Sequence, residues 1–131
     1  MNNKIDKILA EISAGELFDK ITILEIKKAR ISNKEKLYDI EKELLSLNET
    51  VKNFIPDQKD ISKYIKNLKD INLKLWDIED SKRAAEKNKK FDEKFIELAR
   101  SVYKFNDERA KIKLAINVAL GSNIKEVKSY E

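Results

Sequence analysis

The amino-acid sequence predicts an all-α protein, an antiparallel bundle of about four helices dominated by a long helical hairpin. Three observations predict it. Gly and Pro, the residues that interrupt helices, number only 2 and 1 in 131 residues. Hydrophobic residues make up 41% of the chain and charged residues 40%, a balance suited to long amphipathic helices. Apolar residues recur at spacings of three and four over long windows, the period of a buried helical stripe. The length favours a single helical domain over 1–131, large enough to bury roughly two thirds of its unfolded surface.

The elements follow in order. Residues 4–12 read either as a short extended segment or as a loose helical turn. "SAGE", Ser13 to Glu16, has the form of a capping box, with Ser at the N-cap and Glu three residues on. A first helix then runs to about Arg30. It is apolar around most of its circumference, through Leu17, Phe18, Ile21, Ile23, Leu24 and Ile26, so it is expected to lie buried against the hairpin. Its "ELFDK" segment is read as a capping Glu16 with solvent-facing Asp19 and Lys20. Ser32 or Asn33 caps a second helix whose apolar residues, Leu37, Ile40, Leu44, Leu47, Val51 and Phe54, form a narrow coiled-coil-like seam. That helix is expected to pack back on the third.

Pro56 ends the second helix. A third is expected from about Asp57–Asp60 to Asn88, and a fourth from about Asp92 to Leu120, where Gly121 is a natural stop. The short "NKK" turn makes helices three and four an antiparallel hairpin. Residues 122–131 read as an irregular C-terminal tail.

Composition removes several chemistries. There is no Cys and no His, so thiolate chemistry, the commonest zinc ligands and the commonest general base are absent. The net charge of +4 is mild, because 28 basic residues are offset by 24 acidic ones. Mixed signs suit solvated helix faces better than a nucleic-acid footprint, so no nucleic-acid partner is expected. No run approaches the ~18 apolar residues of a membrane span. The N-terminus shows no signal-peptide pattern, and a cytoplasmic location is expected. The acids of "WDIED", Asp77, Glu79 and Asp80, could hold Mg²⁺, but acid-rich helices are usually only solvated, and neither a metal nor a cofactor is assigned.

Polar residues interrupt the apolar faces. At about 100° per residue, the third helix presents Ile61, Tyr64, Ile65, Leu68, Ile71, Leu75 and Trp76, and the same face takes Asn72, Glu79, Arg83 and Glu86. The fourth presents Phe91, Phe95, Leu98, Val102, Phe105, Ile112, Ile116 and Leu120, interrupted by Asn106, Arg109 and Lys113. On the first helix, Glu25 falls inside the apolar arc. Folding the hairpin about residue 89 puts Asn72, Trp76, Asn106, Arg109 and Lys113 in one layer, with Glu79 and Arg83 one and two turns away. Buried charges must pair, bind a ligand or reach water. Arg109 is therefore expected to be largely buried on a carboxylate, with Glu25 and Glu79 the leading candidates.

The segments "GELFDKITILEIKKARI", "LWDIEDSKRAAE", "FIELARSVYKFNDERAKIKLAIN" and "GSNIKEVKSY" resemble an uncharacterised bacterial family of short helical proteins, a domain of unknown function, over nearly the whole chain. The resemblance implies no activity. Its motif residues, among them Glu25, Glu79, Arg83, Asn106, Arg109 and Lys113, largely coincide with the inward polar set. Lys82 stands where the resemblance implies an aliphatic residue.

Two functions fit these observations. In one, a polar pocket between helices binds or converts a small anionic metabolite, phosphorylated or carboxylated. Arg83, Arg109 and Lys113 would be its donors, Asn72 and Asn106 would orient it, and Glu25 or Glu79 would be the acid or base. In the other, the protein is a helical interaction module, and the inward charges fix register between helices or between the protomers of a homodimer.

Overall fold

The computed structural model describes residues 4–127. Its four helices are α1 (Ala14–Arg30), α2 (Lys34–Phe54), α3 (Ser62–Lys87) and α4 (Glu93–Leu120), and no strand occurs among the described residues. The protein is all-α, with α3 and α4 as the expected hairpin.

Most helix ends follow local chemistry. Ser13 caps α1 by accepting from the Glu16 N–H, Asn33 caps α2 through the Lys36 N–H, and Asp92 caps α4 through the Phe95 N–H. Gly121 ends α4 in the left-handed region at φ 62°, which glycine adopts without steric cost. The start of α3 departs from expectation. Asp57 accepts from the Lys59 N–H and Ile61 N–H donates to the Gln58 carbonyl, so these residues build a turn, and the helix begins only at Ser62. Residues 4–12 and 122–127 carry no regular structure, and the remainder of the expected irregular tail lies outside the described residues.

The buried core unites Leu17, Phe18, Ile21 and Leu24 of α1 with Ile40, Leu44 and Val51 of α2, Leu68 of α3, Ile116 of α4 and Ile61. α1 is the hub: it packs against α2, α3 and α4, as its apolar circumference requires. α2 does not pack back on α3 as expected. The backbone of α2 approaches only α1, because the buried part of its seam, Ile40, Leu44 and Val51, is covered by the broad face of α1.

Residue pairs give the directions. Gly15 touches Lys113 and Asn117, Asp19 meets Arg109, and Arg30 at the far end pairs with Asp77. α1 therefore runs antiparallel to α4 and ends partway up the hairpin. No residue from 73 to 112 is fully buried, so beyond α1 the hairpin is held mainly by its own two helices.

Candidate functional site

The centre of the polar layer is Asp19, with only 1% of its side chain exposed. Arg109 Nε donates to its Oδ1 at 2.9 Å, and Arg109 Nη2 donates to its Oδ2. This is the bidentate geometry that a planar guanidinium offers a carboxylate. Asn72 Nδ2 donates to Asp19 Oδ1 and to Thr22 Oγ1, both at 2.9 Å, while Thr22 Oγ1 donates to the Asp19 carbonyl. Lys113 Nζ lies 3.8 Å from Asp19 Oδ2. One carboxylate on α1 thus ties down α3 and α4 together.

Electrostatics follow from this geometry. Burial alone would raise the Asp19 pKa, but hydrogen bonds from Arg109 and Asn72 and the charges of Arg109 and Lys113 outweigh it and hold the group below its ordinary value of 3.8. The hydrogen bond to Asp19 raises Arg109, against the effect of burial. Lys113 would be lowered by burial, but hydrogen bonds to Glu126 and Glu16 carry it above its ordinary value of 10.5.

Arg109 is, as expected, bonded to a carboxylate and only 28% exposed at its side chain. The partner differs from the expected pair. Glu25 lies at the half-exposed edge of α1, 3.7 Å from Lys69, and Glu79 is 3.4 Å from Lys82. Asp19 takes their place because α1 has neighbours on three sides and leaves no solvent face at that position. Lys20 is exposed as expected. Glu16 is more than a cap: its Oε2 accepts from Lys113 Nζ at 2.7 Å, and Glu126 accepts from the same ammonium at 2.8 Å.

The start of α1 shows a feature that sequence reasoning missed. Ala14 N–H donates to Ser122 Oγ, Gly15 N–H to Asn117 Oδ1 at 2.7 Å, Glu16 N–H to Ser13 Oγ, and Leu17 N–H to the Ser13 carbonyl. The Leu17 bond is the first intrahelical one, and the three amides before it, which have no intrahelical partner, are all satisfied, two of them by Asn117 and Ser122 at the end of α4. A Cβ on Gly15 would overlap the Lys113 carbonyl oxygen, so glycine sets how closely α1 and α4 approach. The signal available in the sequence was the run Gly15, Asp19, Thr22, Ile26, a stripe at spacings of four and three.

Beside this network, α1, α3 and α4 enclose a cleft of about 390 Å³, within the usual range for small-molecule sites. Ile23, Ile26, Leu75, Trp76 and Val102 give it an apolar wall, and Asn72, Glu79, Asp80, Arg83, Asn106 and Arg109 its polar groups. Five of the seven site residues expected from sequence therefore share one cleft: Asn72, Glu79, Arg83, Asn106 and Arg109. Lys113 and Glu25 lie outside it, Lys113 on the Glu16–Glu126 side of α4 and Glu25 beside Lys69. Arg109 Nη1 donates to Asn106 Oδ1 at 3.3 Å, joining the cleft to the buried network. Asn72 has its amide N–H groups on Asp19 and Thr22, which leaves its carbonyl oxygen as the acceptor for the cleft. Arg83 is exposed at the rim and makes no hydrogen bond or ion pair among the described residues.

Among the described residues, no group of three or more Asp or Glu is arranged to hold a metal ion. Asp77 of the "WDIED" acids pairs instead with Arg30. No helix of the described residues is long and apolar enough to cross a membrane. Neither a curated protein nor a solved structure matches the chain. One family does, over residues 8–131, and the chain belongs to it: the DUF6165 family of unknown function.

Proposed function

We propose that the cleft between α1, α3 and α4 binds a small organic molecule carrying one anionic group, a carboxylate or a single phosphate. The observation that carries this reading is the contrast between its two arginines. Arg109 is held by Asp19 and serves as a rigid wall, whereas Arg83 stands at the rim with its guanidinium unpartnered among the described residues. A planar fork of that kind suits a carboxylate or phosphate. Trp76, Leu75 and Val102 take the apolar body of the ligand, and Asn72 and Asn106 read its polar edge. Glu79 and Asp80 beside Arg83 disfavour a polyphosphate and suit a ligand that also carries hydroxyl or amine donors.

Binding is proposed rather than conversion. Glu25, one of the two carboxylates suggested as acid or base, sits beside Lys69 away from the cleft. Lys113 is withdrawn from the ligand in the same way, by Glu16 and Glu126.

The test is a set of melting curves with phosphate, a sugar phosphate, a dicarboxylate and an amino acid. At least one should raise the melting temperature of the wild type. Arg83→Met should melt at the wild-type temperature without ligand and lose the protection. Wild-type protein protected by none of the four, or protection that survives in Arg83→Met, would remove the reading.

A further inference from the structure

α4 carries a second apolar stripe on the side turned away from the bundle. Ile96, Tyr103, Leu114 and Val118 are 53%, 54%, 46% and 62% exposed, although α4 is packed by α1 and α3 on its other face. Ile96 and Val118 flank Asp107 at intervals of eleven residues, and Tyr103 precedes Leu114 by the same interval. Eleven residues are close to three full helical turns, so the stripe runs nearly straight along the helix for roughly 33 Å. At its C-terminal half lies a shallow groove of about 320 Å³, lined by Asp107, Ala110, Lys111 and Leu114 together with Lys113, Asn117 and Glu126. Its N-terminal half instead projects a knob, Ile96, beside the exposed small residue Ala99.

We propose that this face binds a second copy of the chain, with the two α4 helices antiparallel across a two-fold axis near residue 104. The knob and the groove lie on the same face at complementary distances from that axis, as a self-complementary interface requires. Residues whose numbers sum to about 208 then stand level with one another. Ile96 meets the Ala110–Leu114 groove of its mate, and Tyr103 stands beside its own counterpart.

Four charges on one flank agree with the same register, while Lys104, exposed on that flank at the axis, meets its own counterpart and turns its ammonium out to solvent on its long stem. Glu97, Arg100, Glu108 and Lys111 lie along one flank of the stripe, all exposed and without a side-chain ion pair among the described residues. A two-fold axis brings that flank of each helix together, so Glu97 faces Lys111 of the mate and Arg100 faces Glu108. Both are opposite-charge pairs, and their numbers share the sum that seats Ile96 in the groove. Flanking charges of this kind set orientation and partner choice in paired helices.

The N-terminal segment extends the surface. Ile5, Ile8, Leu9 and Ile12 are exposed in chain without regular structure, and the hydrogen bond from Asn123 Nδ2 to Glu11 at 2.7 Å holds this segment by the C-terminal end of α4. The antiparallel arrangement brings the hairpin tip of the mate to that end, with Phe91 exposed on it. The interface lies on a different face from the Arg83 cleft, so its test is independent of the ligand reading.

Sedimentation of the full chain tests the proposal. At about 0.1 mM the wild type should be a dimer. Ile96→Asp and Leu114→Asp should each weaken it at least tenfold, with circular dichroism unchanged because both positions are exposed. Glu97→Lys should weaken the dimer, and Glu97→Lys with Lys111→Glu should restore it. A monomeric wild type would overturn the proposal, and a monomer that sediments with phosphatidylserine vesicles would assign the stripe to a membrane surface. A dimer indifferent to Ile96→Asp would overturn the interface. A double charge exchange no better than Glu97→Lys alone would overturn the register.

Discussion

At the scale of single residues, Asp19 decides most. Removing Arg109 leaves its carboxylate, only 1% exposed, without its principal counter-charge. Breaking such a pair from one side costs about 3–5 kcal/mol. Arg109→Met should therefore lower the melting temperature by roughly 10–20 °C for a chain of this size. Asp19→Asn with Arg109→Met should cost less than the two single changes added together, because the stranded charge is removed. Additive costs in calorimetry would mean the two groups are not coupled. Acid sensitivity follows from the same site. A carboxyl whose pKa is lowered by folding stabilises the protein above its unfolded value, and that stability is lost as pH falls through the folded value. The contribution of Asp19 is thus complete near neutral pH and fades below about pH 4. Melting curves at falling pH should show the wild type losing more stability than Asp19→Asn, and parallel losses would argue against it. Sequence showed that Arg109 needed a buried acid, because a cation interrupted an apolar stripe. It did not identify Asp19, because Lys20 and Glu16 beside it make "ELFDK" look like a solvated turn. Only the presence of helices on three sides of α1 turns that aspartate inward.

At the scale of elements, the helices were legible almost to the residue where caps and breakers are local. Ser13, Asn33, Asp92 and Gly121 act through their own neighbours in sequence. Packing partners were less legible. The seam of α2 shows that one face is buried, but a stripe does not say what covers it, and α1 rather than α3 does. The start of α1 is likewise completed by residues about a hundred positions away, Asn117 and Ser122, which no local pattern could connect to it. This junction makes its own prediction. Gly→Ala in a helix ordinarily gains up to about 1 kcal/mol. At Gly15 it should destabilise instead, because the new methyl meets the Lys113 backbone and forces α1 and α4 apart. Asn117→Ala should cost about 1 kcal/mol by leaving the Gly15 amide unmet. Urea midpoints would measure both. A stabilised Gly15→Ala variant would show that the two helices are less closely docked than their contact indicates.

At the scale of the whole molecule, burial is unevenly distributed, and so stability should be too. Around α1 every helix has a neighbour, and the Asp19 network spans three of them. Beyond the Arg30–Asp77 pair, the hairpin has only its own two helices, and none of its residues there is fully buried. Regions with few buried contacts open at lower free energy than the core. Native-state hydrogen exchange should therefore separate the chain into two parts. Amides of α1, and of α3 and α4 where they pack on it, should exchange only through global unfolding. Those of 78–101 should exchange sooner, through local opening that leaves the Asp19 network closed. Arg109→Met should speed exchange in the first group far more than in the second, because the second group can open without breaking that ion pair. Equal protection along the full hairpin, at a dilution where the chain is monomeric, would mean that α3 and α4 hold each other without help from α1. The cleft lies at the boundary between the two parts, with Asn72 and Arg109 fixed in the core and Arg83 on the freer hairpin. A ligand gripping Arg83 while resting on Asn72 and Arg109 would join them, so protection of 78–101 should rise on binding while that of α1 changes little.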